Sequence, residues 1–373
     1  MLPHEEPMKK KEDEKQLERR QFLKGITLLG GLALLSSLVP SCLRRDDLMP
    51  QPGHPNTEKD SPVPATDEDL FTNVALVLGQ DRVEGVRRAI SLLDYNPVRG
   101  KAVVLKPNFN TADAAPGSTH NDTLRTLIPV LKEMGASRIT LAERSGPGDT
   151  TRQVMEKKGV FNMAKELDFD VICLDELSPD GWVHLHPRDS HWGNGFHFPR
   201  VYLEAESIVQ TCCLKTHAYG GHFTLSLKNS VGMVPRKGYP YMSELHSSPY
   251  QRQMIAEINT AYSPDLIVLD GVEAFIDGGP ARGTRVWSGI VLAGNDRVAI
   301  DASGVAALRS LGTTREVSQG PIFEQDQISR AVELGLGIKS PGRIRFVTDN
   351  AESREHAGRL KHILLEDSSG IGR

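Results

Sequence analysis

Cysteine is scarce in this chain: four in 373 residues, with no Cys-x-x-Cys spacing. That excludes a disulfide scaffold and the ligand spacing of a ferredoxin-type iron–sulfur cluster. Neither sign of charge dominates: 44 basic and 48 acidic groups leave a formal charge of −4. A nucleic-acid-binding surface is normally basic, so no nucleic-acid partner is expected. No strand-like run is followed by a Gly-x-Gly-x-x-Gly or Walker pattern, so no NAD site and no P-loop are expected. The apolar run Gly25–Val39 is about 15 residues, the length of a signal-peptide core and short of the roughly 20 needed to span a bilayer.

Around that run the N-terminus reads as an address. Arg19-Arg20-Gln21-Phe22-Leu23-Lys24 precedes it and resembles a twin-arginine export signal. The resemblance implies export in a folded state by the twin-arginine translocation machinery, to the periplasm or the outer face of the membrane. Ser41-Cys42 closes the segment and predicts a lipid anchor on Cys42, with ordinary cleavage after Ser41 as the alternative. The division expected is a signal over 1–42, a Pro-rich disordered tether over 43–69, an α/β domain over 70–350 and a weakly ordered tail over 351–373.

Within the domain, short apolar runs alternate with helical spacings. Asn73–Leu78, Ala102–Leu105, Arg138–Ala142, Asp170–Leu174, Leu266–Leu269 and Gly289–Ala293 read as strands. Asn121–Met134, Thr150–Lys158, capped by Asp149, and Val298–Leu311 read as helices. This predicts an α/β fold with a mostly parallel sheet covered by helices on both faces. Residues 180–203 alternate polar and apolar side chains and predict an inserted antiparallel hairpin.

In a parallel sheet, ligands bind beyond the carboxyl ends of the strands. Three such ends carry chemistry: Lys106-Pro107-Asn108; Lys215-Thr216-His217 with Lys228-Asn229 after it; and Asp270-Gly271-Val272-Glu273. Lysines and amides suit a small anion. Lys106, Asn108, Lys228 and Asn229 are therefore candidate ligand-binding residues. His217, Lys215, Asp270 and Glu273 are candidate catalytic residues, with His217 the proton carrier. His217 and His222 are candidate ligands for a divalent metal.

These blocks resemble those of the domain of unknown function 362 family, together with Leu227-Lys228-Asn229-Ser230-Val231-Gly232-Met233-Val234-Pro235, Gly278-Gly279-Pro280 and Asn295–Ala302. The likeness runs over about residues 70–340 and implies that the polar blocks form one shared site. Many members carry a ferredoxin-like cluster module, whose cysteines this chain lacks. Two functions follow as expectations. One is an exported, lipid-anchored protein, an enzyme of unnamed reaction or a holder, with a site for a small anionic ligand or a metal-bearing cofactor. The other is a non-catalytic envelope binding protein that delivers a ligand or metal to a membrane partner. They differ in one observable: a catalytic site should pair His217 with Asp270 or Glu273.

Overall fold

The computed structural model describes residues 71–146 and 148–366. Arg19, Arg20, Cys42 and residues 43–69, where the tether is expected, lie outside the described residues. The first half alternates as the apolar pattern requires: β1 (Thr72–Leu78), α1 (Arg82–Ser91), β2 (Ala102–Lys106), α2 (Asn121–Glu133), β3 (Arg138–Glu143), α3 (Thr151–Lys157), α4 (Val160–Leu167) and β4 (Asp170–Cys173). Then come the hairpin strands β5 (Trp182–Leu185) and β6 (Phe196–Pro199), followed by β7 (Ser207–His217) and β8 (His222–Thr224). The short helix α5 (Ser226–Asn229), α6 (Gln251–Ile258), β9 (Leu266–Gly278), β10 (Gly283–Gly294), α7 (Arg297–Ser310), β11 (Ile344–Val347) and α8 (Ala351–Glu366) complete the frame.

The main sheet has nine strands in the order β11-β1-β10-β9-β7-β2-β3-β4, with β8 paired to the end of β7. The pairs β1–β11, β2–β3, β2–β7, β3–β4 and β7–β9 are parallel. The pairs of β10 with β1 and β9, and of β8 with β7, are antiparallel. The hairpin forms a separate two-stranded antiparallel sheet. The fold is thus the α/β arrangement that the alternation predicts, with a mixed rather than purely parallel sheet.

Two-residue periodicity divides the core. Ala75 and Val77 of β1 and Val268 of β9 face α1, α2 and α4, packing with Val86, Leu127 and Met163. Val74, Leu76, Ile267 and Leu269 face the other way, against α7 and α8. Trp192, Phe196 and Phe198 of the hairpin segment pack with Met254, Ile255 and Ile258 of α6 over the rest of that side. Helix α7 is buried at every position from Arg297 to Leu308, which explains its apolar character all round.

Two local expectations are corrected. Thr150 rather than Asp149 caps α3, because its hydroxyl and Gln153 form a reciprocal capping box. The C-terminal stretch expected to be weakly ordered is α8, a 16-residue helix that buries Ser353, Ala357, Leu360 and Leu364. Its apolar residues are few, and they complete the core cluster formed with α7 and β1, which gives the helix its reason to dock. Among the described residues no helix is long and apolar enough to cross a membrane.

Candidate functional site

The carboxyl ends of β2, β3 and β7 lie side by side, and each delivers a charged side chain into the interior. Lys106 ends β2 and is 1 % exposed; Lys215, near the end of β7, is 0 % exposed. Each ammonium has three N–H groups to place. Lys106 Nζ reaches Glu143 Oε1 at 2.7 Å, the Pro107 carbonyl at 2.8 Å and Asn229 Oδ1 at 3.1 Å. Lys215 Nζ reaches Asn108 Oδ1 at 2.8 Å, the Gly117 carbonyl at 2.5 Å and the Pro280 carbonyl at 3.0 Å. Both lysines are therefore saturated by the protein itself.

Two amides join them. Asn108 Nδ2 donates to Asn229 Oδ1 at 3.3 Å, and Asn229 Nδ2 donates to the Thr211 carbonyl at 3.2 Å. Lys106, Asn229, Asn108 and Lys215 thus form one hydrogen-bonded chain. Glu143, which the sequence reading missed, anchors it by accepting from the backbone N–H of Phe109 and of Arg144, both at 2.8 Å. Burial pushes Lys106 down and Glu143 up, while their contact opposes both shifts. The signal for Glu143 was available, since it ends β3 as Lys106 ends β2. Gly232 packs against this pair; a Cβ there would stand 2.5 Å from Glu143 Oε1 and 2.9 Å from Lys106 Nζ.

Lys228 differs from the other two lysines. It is 8 % exposed, yet its ammonium has no hydrogen bond or ion pair among the described residues. Burial, then the charges of Lys215 and Arg144, lower it to about 7. His217 stands beside it. A Cβ on Gly221 would lie 2.8 Å from His217 Nδ1 and 2.9 Å from Lys228 Cε, so glycine permits the approach. Nδ1 of His217 accepts from the backbone N–H of Tyr219 and Gly221, both at 3.3 Å. That leaves Nε2 as the protonated nitrogen and a donor. Burial, followed by Lys228, His246 and Lys215, holds His217 well below the usual histidine range.

The remaining predicted residues go elsewhere. The β9 register slips opposite Cys213 and Leu214, so that Asp270 and Ala274 face consecutive residues. This bulge carries Asp270 and Glu273 to Arg82 at the start of α1. Arg82 Nε lies 3.1 Å from Asp270 Oδ2, and Arg82 Nη2 lies 2.6 Å from Glu273 Oε2. Thr123 also donates to Asp270, at 2.6 Å. Neither carboxylate hydrogen-bonds His217, so the pairing expected of a catalytic site does not form. His222 sits opposite His217 across the β7–β8 pair. Among the described residues no three His, Cys, Asp or Glu side chains gather as metal ligands.

A buried scaffold orients the Lys228 loop. Asp301 of α7 accepts from the backbone N–H of Ser226 at 2.7 Å and of Leu227 at 3.1 Å. Burial raises its carboxyl to about 8, against these two bonds. A folded-state value above the ordinary aspartate value of about 3.9 means that stability falls as pH rises from about 4 to 8. Asn at this position does not titrate. The unfolding free energy of the wild type relative to Asp301→Asn is therefore expected to decline between pH 5 and pH 8 in urea melts. A pH-independent difference would show that the carboxyl is not held protonated.

Residues 103–306 match the family described as Domain of unknown function (DUF362). A thylakoid-associated protein of Synechocystis sp. is 26% identical over 207 residues, 54% of this chain. The match spans 61% of that relative's length. Among solved structures, the lactate racemase apoprotein of Thermoanaerobacterium thermosaccharolyticum is similar with a TM-score of 0.37 and 16% identity. That similarity covers 54% of this chain and 50% of the other.

Proposed function

This chain belongs to the domain of unknown function (DUF362) family, and on that footing we propose that it is an exported protein that holds a small anionic ligand against Lys228 and His217. One observation carries the reading: the largely buried Lys228 side chain ends in an ammonium with no protein hydrogen bond or ion pair among the described residues, beside Lys215, which is saturated, and Arg144, which donates to the carbonyls of Val234, Ser145 and Val231. A cation with no protein partner, repelled by two cationic neighbours, gains from a bound anion that supplies the missing charge and hydrogen-bond acceptor. Lys228 and the Nε2–H of His217 touch the ligand. Lys106, Asn108 and Asn229 hold the loops, and Lys215 and Arg144 supply positive potential. The absence of a His217–carboxylate pair favours the binding-protein reading over acid–base catalysis.

Oxalate serves as a plain dianionic probe. Calorimetry at pH 6 should show binding that weakens as pH rises above about 7, where Lys228 loses its charge. Lys228→Met should lower the affinity about 10- to 150-fold, as for a lost charged hydrogen bond. Equal oxalate binding by the variant removes the proposed site.

The export part rests on Arg19 and Arg20. Changing both to Lys is expected to leave the precursor in the cytoplasm, seen by cell fractionation. Fatty-acid labelling lost in Cys42→Ser would place the lipid anchor. Export of the double-lysine precursor at the normal rate would remove the twin-arginine assignment.

A further inference from the structure

Three buried lysines meet at one sheet edge, and their hydrogen bonding separates them. Lys106 and Lys215 each direct three N–H groups at protein acceptors. Neither nitrogen can present a lone pair without breaking that set. Lys228 Nζ has no such bonds among the described residues, and it lies against His217 across Gly221. An amine that the protein leaves without a hydrogen bond, on a largely buried side chain beside a neutral histidine, is free to act as a nucleophile toward a carbonyl carbon.

We propose that the anionic ligand bears an aldehyde or ketone group, as a 2-oxo acid does, and that Lys228 holds it covalently as a Schiff base. The inference rests on the anion-site reading above and names the ligand class for it. Lys228 Nζ, as the free amine, adds to the carbonyl carbon, and the carbonyl π pair moves to oxygen. A proton passes from nitrogen to that oxygen to give the carbinolamine. The hydroxyl then leaves with a proton as water while the C=N bond forms. One water is released and no electron carrier is needed. His217 flanks the reacting amine, and the ligand's carboxylate lies in the field of Lys215 and Arg144. The depression of Lys228 toward neutral pH supplies the free amine. The cationic neighbours that lower it also favour the anionic ligand over a neutral aldehyde.

The test uses the full chain, glyoxylate and cyanoborohydride at pH 7, with oxalate as the non-carbonyl control. Hydride reduction of the imine leaves one carboxymethyl group on the reacting lysine, found by peptide mass spectrometry. The expected result is modification of Lys228 at least about tenfold faster than of an exposed lysine such as Lys237, with protection by oxalate. Lys228→Arg keeps the charge and cannot form an imine. It should bind oxalate and lose the adduct, with an unchanged melting temperature as the control for folding. Oxalate binding without an adduct on Lys228, or an adduct spread over exposed lysines, overturns the covalent proposal and leaves the anion site standing. If neither oxalate nor glyoxylate binds, the anion reading falls with it.

Discussion

Glu143→Gln is expected to lower the unfolding free energy by about 3–5 kcal/mol, the range for removing one member of a buried ion pair. Glu143 and Lys106 are each 1 % exposed and meet at 2.7 Å. The glutamine keeps the shape, and its carbonyl accepts one of the two backbone N–H groups that Glu143 holds, from Phe109 and Arg144. Its NH₂ then faces a donor, and Lys106 is left as a buried cation with neutral partners only. Two further consequences follow from the geometry. The loop after β2, which carries Asn108, loosens, and Asn229 loses the orientation that Lys106 and Asn108 impose on its carbonyl oxygen. The double variant Glu143→Gln, Lys106→Met removes the stranded charge and should recover part of the loss. Urea unfolding monitored by tryptophan fluorescence and by far-UV circular dichroism measures both steps. A loss below about 1 kcal/mol in the single variant would mean that the pair is not buried as described.

Lys228→Met should act in the opposite direction on stability. Removing an ammonium that has no protein partner and is repelled by two cations, while keeping its methylene volume, is expected to stabilise the fold by about 1–3 kcal/mol. The side chain is 8 % exposed and lies near Lys215 and Arg144, whose charges repel it. The gain should be largest at acidic pH. The folded-state value of about 7 lies below the ordinary lysine value of about 10.4, so the native state binds fewer protons between them. Wild-type stability contributed by this group is present above that upper value and lost as pH falls through about 7. Added oxalate should stabilise the wild type and leave the variant's melting temperature unchanged. A variant less stable than the wild type at pH 6 would show that Lys228 has a structural partner.

These opposite signs could not be read from three lysines in a sequence. Lys106, Lys215 and Lys228 look alike there, each near an amide or a histidine and each after an apolar run. Strand order makes them neighbours, and hydrogen-bond saturation makes two of them framework and one of them available. Glu143 stands at a strand end as Lys106 does, but only the pairing of β2 with β3 shows that the two meet. Arg82 was overlooked because it lies 188 positions from Asp270 and meets it only through packing of α1 on the sheet. The β9 bulge that redirects Asp270 and Glu273 depends on how β9 registers with β7 and β10, and local composition does not specify that.

The alternation of buried strands with amphipathic helices was legible because each element must hide one face or both, and that requirement writes a period of 2.0 or 3.6 into the chain. The hairpin over 180–203 was legible for the same reason, in Trp182–Leu185 and Phe196–Pro199. The convergence of the β2 and β7 blocks was legible too, since parallel strands end on a common edge. Only the tertiary structure decided which charges on that edge are satisfied. A side chain's partners come from strand order, register and loop path, and these bring together residues more than 100 positions apart, as with Lys215 and Asn108 or Lys106 and Asn229.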